Sequence, residues 1–115
     1  MDIDQLRELC LSLKGVTEDI KWGHDLCFSI GGKMFCVASL DPPFNCSFKV
    51  KDEEFEELSR KEGFIPAPYM ARAKWVKVTQ PSKLNKKEWN HYIRQSYELK
   101  KDSLTKKMKK EIGLE

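Results

Sequence analysis

The residues of this chain best suited to gripping a ligand lie together in Ile65-Pro66-Ala67-Pro68-Tyr69-Met70-Ala71-Arg72-Ala73-Lys74-Trp75-Val76-Lys77-Val78. A proline-punctuated loop leads into a basic strand with one large aromatic residue between lysines. An indole can stack on a nucleobase, worth ~1–3 kcal/mol per base, and nearby lysines can hold phosphates in a salt-dependent way. Arg72 can meet a phosphate or carboxylate through paired N–H donors, while Lys74 and Lys77 act as point charges. Two arrangements are open for each group. Trp75 is either bare for stacking or covered by the 66–70 loop as ordinary packing. Arg72 either meets an outside anion or pairs with the acidic run Glu53, Glu54, Glu56 and Glu57.

Bond-making chemistry has thinner support. His24-Asp25 could be a base with an orienting carboxylate, but adjacent residues point apart and no nucleophile is evident nearby. The tryptophan and tyrosines of the Trp89, Tyr92, Tyr97 stripe suit a core, and His91 suits a solvated helix face. Without a nucleophile, base and orienter in one set, the chain reads as non-enzymatic. Cys10, Cys27, Cys36 and Cys46 form no C-x-x-C pair and lie at no metal-ligand spacing from a histidine. They read as small buried hydrophobes, and no metal or cofactor is expected.

The elements that must position these residues follow from periodicity. Ile3, Leu6, Leu9, Cys10 and Leu13 recur at helical spacing after a capping pair, Asp2 and Gln5, predicting a helix over about 2–14. Leu26–Ile30 and Met34–Ser39 flank Gly31-Gly32, a strong hairpin signal. A two-residue turn there pairs residues summing to 63. Cys27 would then face Cys36 across the strands, close enough for a reversible disulfide that a reducing cytosol would oppose. Phe44–Val50 alternates as a third strand, Asp52 opens a short acidic helix to about Lys61, Phe64-Ile65 is a brief extended piece, and Lys74–Thr79 is a further strand. Asn85 with Glu88 caps a long helix, and Leu104, Met108 and Ile112 mark a closing one.

Charge is divided unevenly. Residues 1–71 hold 8 Lys/Arg against 13 Asp/Glu, and residues 72–110 hold 13 against 3. That balance suggests an anionic partner for the second part, or attraction between the two parts. The lysines at 100, 101, 106, 107, 109 and 110 flank the closing apolar stripe and read mainly as a solvated helix face, with a phosphate or acidic contact as the other reading. No apolar run approaches the ~18 residues of a membrane span. The acidic opening Met1-Asp2-Ile3-Asp4 is unlike a signal peptide, so no membrane partner and a cytoplasmic location are expected.

Gly31-Gly32-Lys33-Met34-Phe35, then Pro66…Tyr69-Met70…Arg72…Trp75…Val78, then Ser96-Tyr97-Glu98-Leu99…Leu104 form a pattern in that order. With it, essentially the whole chain resembles the MmcQ/YjbR-like family of small bacterial proteins. The resemblance implies a frataxin-like (CyaY-like) α/β sandwich, and its members are commonly described as DNA-binding. Members often read Gly-Tyr-His near Tyr69-Met70. Here Ala67-Pro68 precedes the tyrosine and no histidine follows, so no histidine role carries over. A frataxin-like fold also invites iron binding, for which Asp2, Asp4, Glu8, Glu18 and Asp19 are sparse.

The expected protein is a single α+β domain over 1–115. It is a two-layer sandwich, with helices on one face of an antiparallel sheet of four to five strands and the other face open. Its expected function is non-enzymatic, sequence-nonspecific DNA binding by the open sheet face through Lys33, Lys49, Tyr69, Arg72, Lys74, Trp75 and Lys77. The alternative is an adaptor or stress-response accessory, most simply a monomer, that docks an acidic protein on that face.

Overall fold

A computed structural model describes residues 1–114. Helix α1 (Ile3–Leu11) leads into β1 (Val16–Lys21), then β2 (Asp25–Ile30), β3 (Lys33–Ser39) and β4 (Cys46–Lys49). Helix α2 (Asp52–Arg60), β5 (Phe64–Pro66) and β6 (Trp75–Val78) follow, and α3 (Lys86–Asp102) and α4 (Lys106–Glu111) finish the order. One antiparallel sheet of six strands runs β1-β2-β3-β4-β6-β5, so the fold is the expected α+β sandwich with one strand more than predicted. The addition is β1. Its exposed Thr17, Glu18, Asp19 and Ile20 hide the alternation that marks a strand, and charges on an edge strand discourage pairing with other chains.

Helices and one sheet face share a single core that includes Leu6, Cys10, Phe28, Ile30, Phe48, Val76, Val78, Trp89 and Ile93. Leu58 ties α2 to it. Helix α3 presents Trp89, Ile93, Ser96 and Tyr97 at spacings of four, three and one, which is one helical face. Phe48 stacks on Tyr92 at 5.8 Å, and Phe35 meets Tyr97 edge-on at 5.6 Å. The Tyr97 hydroxyl donates to the Lys14 carbonyl at 2.6 Å and fastens α3 to the α1–β1 turn.

Register corrects the predicted hairpin pairing. Near Gly31-Gly32 it is as expected, with Ile30 opposite Lys33 and Ser29 opposite Met34. Phe28 then lies opposite Cys36, leaving Phe35 as an extra residue in a bulge. Two residues against one place Phe35 and Cys36 both in the helix-side core. Cys27 therefore faces Val37, and the proposed Cys27–Cys36 pair does not exist. The Cys36 sulfur instead lies 3.4 Å from that of Cys46, and burial pushes its thiol well up. All four cysteines are free and buried.

The bulge also interrupts hydrogen bonding toward β4, whose pairing with β3 begins at Cys36 opposite Phe48. Ser96 fills the gap. Its hydroxyl donates to the Phe35 carbonyl at 2.6 Å and accepts the Lys49 amide at 3.0 Å. This fully buried serine repairs the sheet from a helix.

Candidate functional site

The sheet's other face carries alternate residues from each strand. Across the middle, Asp19, Cys27, Val37, Ser47, Lys77 and Ile65 form a row, strand beside strand. Among the described residues no helix covers this row. The 67–70 loop instead turns over the β6 end, with the Ala67 amide on the Trp75 carbonyl at 3.0 Å and the Trp75 amide on the Met70 carbonyl at 3.3 Å. Trp75 is left only 2% exposed and Ala67 1%, both outside the helix-side core. The expectation of a bare indole at Trp75 is thus corrected. Leaving that ring in water would forfeit the burial of a large apolar side chain, and the loop supplies the cover.

Beside the loop the face opens into a cavity of about 650 Å³. Its floor and walls come from Met34, Val37, Ser39, Asn45, Ser47 and Lys77, and the loop adds Ala67, Pro68, Tyr69 and Met70. The β1–β2 turn closes the far side with Trp22, His24 and Asp25. Its volume is in the range of small-ligand sites, and its lining is largely apolar with a few polar groups, the usual make-up of a recognition surface.

Two aromatic residues define its rim. Trp22 is 64% exposed and Tyr69 is fully exposed. Both hold left-handed backbone, at φ 54° and 66°. For bulky side chains this conformation costs on the order of 1–2 kcal/mol, because Cβ crowds the following carbonyl. Strained turns holding rings in solvent bring no folding advantage, and such positions cluster at binding sites. Leu40, 42% exposed, adds apolar surface beside the same turn, its amide bonded to the His24 carbonyl at 2.8 Å.

Of the seven residues expected to bind, the structure brings two into this cavity, Tyr69 and Lys77. Lys33 donates to the Ser103 carbonyl and hydroxyl at 3.1 and 3.0 Å, at the end of α3. Lys49 donates to the Ala73 carbonyl at 2.6 Å. Lys74, left-handed at φ 64°, places its ammonium 5.1 Å from the Phe55 ring of α2. Arg72 is exposed in the 3-10 turn Ala71–Ala73, and among the described residues it pairs with no carboxylate. The platform of five cations round Trp75 is therefore dispersed. Of thirteen Lys/Arg over residues 72–110, nine lie on α3 and α4, in the other layer.

His24 Nε2 and Asp25 Oδ2 are 4.0 Å apart. Ser39 Oγ, the nearby hydroxyl, is engaged with the Asp41 backbone in both directions. No group of three or more His, Cys, Asp or Glu among the described residues could hold a metal ion. Glu18, one of the sparse acids considered for iron, is occupied by Arg7 at 2.7 Å, which lowers its pKa. Trp22, Met34 and Met70 were not identified as site residues from sequence. Lys21-Trp22-Gly23 does contain a signal, an aromatic residue in a glycine turn with no apolar pattern around it.

The YjbR family profile matches residues 11–99. The chain belongs to the YjbR family. Within it, a Deinococcus radiodurans protein, DR2400, bearing a domain termed DUF419, superposes with a TM-score of 0.85 at 27% identity. That match covers 97% of this chain and 88% of the other. A Pseudomonas syringae protein shares the fold at a TM-score of 0.73 and 20% identity, over 87% of this chain and 99% of its own. No curated protein matches. Ser96-Tyr97, within the matched residues, has a structural purpose here, since Ser96 bridges the bulge and Tyr97 anchors α3. No helix among the described residues is long and apolar enough to cross a membrane.

Proposed function

We propose that this YjbR protein is a non-enzymatic binding module whose open sheet face docks an extended segment of an acidic protein partner. The observation that carries this reading is the rim, where Trp22 and Tyr69 stand exposed on strained backbone either side of one cavity. Exposed aromatic residues round a largely apolar cavity suit a protein contact, in which such rings supply most of the affinity. Lys77 in the lining offers an acidic side chain of that partner a charge-assisted contact, on the side of the cavity away from Asp25.

DNA binding is the second reading, and the concentration of cations on α3 and α4 favours it. Phosphate contacts would then lie on the helix layer, where binding would be salt-dependent and indifferent to sequence. Trp75 would play no part.

Fluorescence anisotropy separates the two. The probes are a labelled eight-residue peptide alternating aspartate with phenylalanine, and single- and double-stranded DNA. The proteins are wild type, Trp22→Ala, and a charge reversal of Lys106, Lys107, Lys109 and Lys110 to glutamate. Peptide binding that is lost with Trp22→Ala and survives the charge reversal supports the proposal. DNA binding that falls with the reversal and ignores Trp22→Ala, with no peptide binding, contradicts it.

A further inference from the structure

Ser47 and Lys77 are direct partners across β4 and β6, on the cavity floor. Direct partners have Cβ atoms ~4.5–5.5 Å apart, so a hydroxyl and an ammonium can meet one acceptor between them. Among the described residues, Lys77 joins no ion pair, although Arg7, Lys83 and Lys101 do. Two other polar residues of the lining are engaged within the chain. Asn45 Nδ2 donates to the Pro43 carbonyl at 3.2 Å, and Ser39 is tied to Asp41. Val37 lies directly opposite Ser47 on β3, and the lining adds apolar Met34, Ala67 and Met70, with the two rings at the rim.

We infer that Ser47 and Lys77 form a carboxylate subsite, and that the group recognised is a flat aromatic body joined to a single carboxylate. The carboxylate accepts from Lys77 Nζ and Ser47 Oγ, while the ring lies toward Trp22 and Tyr69. A charge-assisted hydrogen bond in apolar surroundings is about twice as strong as a neutral one. The cavity's own carboxylate, Asp25, lies three strand spacings away across β2, β3, β4 and β6, ~14 Å at ordinary strand separation. It is next to His24 and so does not crowd the anion at Lys77. This inference rests on the cavity being the binding site and adds the chemistry it selects.

Calorimetry and amide chemical-shift mapping with three probes test it: 2-naphthoate, its uncharged counterpart 2-naphthalenemethanol, and cyclohexanecarboxylate. The expected order places 2-naphthoate about tenfold tighter than the alcohol, the ratio that ~1.4 kcal/mol gives for one charge-assisted contact. Lys77→Met, which keeps the apolar stem, should remove that preference. Ser47→Ala should reduce it, and Trp22→Ala should weaken both aromatic probes alike. Equal affinity for the naphthoate and the alcohol in the wild type would overturn the inference. So would shifts confined to α3 and α4, or no binding at all. The peptide arm distinguishes this failure from failure of the broader reading. An aspartate–phenylalanine peptide that binds wild type and Lys77→Met equally, yet needs Trp22, overturns the carboxylate subsite and leaves the docking face standing.

Discussion

Trp75 and Trp22 belong to the same bare side of one sheet and have opposite fates. At the β6 end, the 67–70 loop bonds to the strand backbone and buries Trp75 to 2% exposure. At the β1–β2 end, a tight turn leaves Trp22 64% exposed on left-handed backbone. One ring is used for cohesion, and the other costs the fold some stability. A basic–aromatic sequence is therefore a poor guide to a binding surface unless the chain that covers it is known.

The contrast can be broken first at Trp75. Trp75→Ala should cost about 3–5 kcal/mol, the usual loss for truncating a fully packed aromatic. Urea denaturation would show it as a lower midpoint with little change in slope. A loss below about 1 kcal/mol would mean that the loop does not seal the ring.

Next in size is the bulge. Ser96→Ala strands the Phe35 carbonyl and the Lys49 amide without their bridge, and each unpaired buried group costs about 1–3 kcal/mol. A loss of about 3 kcal/mol on denaturation is expected, with amide exchange accelerating at Lys49 first.

The rim should respond in the other direction. Trp22→Gly and Tyr69→Gly relieve the left-handed strain, offset by the greater freedom glycine gives the unfolded chain. Stability should stay level or rise by up to about 1 kcal/mol. Binding of the aspartate–phenylalanine peptide should fall in both variants. A stability loss comparable to that of Trp75→Ala would erase the distinction between the two ends of the face.

The smallest effect concerns β1, which carries Trp22 at its end. Arg7 holds the Glu18 carboxylate below its ordinary pKa, mainly by hydrogen bonding. A carboxylate with a depressed folded pKa adds stability above its unfolded pKa and loses it as pH falls through the folded value. Wild type should therefore lose slightly more stability than Glu18→Gln on acidification below the ordinary carboxylate range. The pair is solvent-exposed, so the difference should shrink further in high salt.

Much of the fold was legible because periodicity and caps act locally. The Asp2–Gln5 and Asn85–Glu88 capping boxes are both present, and Gly31-Gly32 turns the hairpin as expected. Gly31 sits at φ 57° against Leu104, where an added Cβ would lie 2.8 Å from a leucine methyl. What escaped depends on the tertiary arrangement. The bulge at Phe35 moves Cys36 to the core by a one-residue shift, which no pattern in Met34–Ser39 announces. Edge strand β1 buries too little to alternate. The candidate site was read from one contiguous segment, whereas the cavity is assembled from the β1–β2 turn, four strands and a loop. Tyr69 and Lys77 were found because they lie in that segment. Trp22 was missed because its partners are distant in sequence.

The most direct measurement is a titration of 15N-labelled protein followed through its three indole N–H signals, from Trp22, Trp75 and Trp89. With the aspartate–phenylalanine peptide as ligand, the Trp22 signal should move progressively while those of Trp75 and Trp89, both buried, stay in place. A Trp22 signal that remains fixed while α3 and α4 amides shift would contradict the proposed docking face.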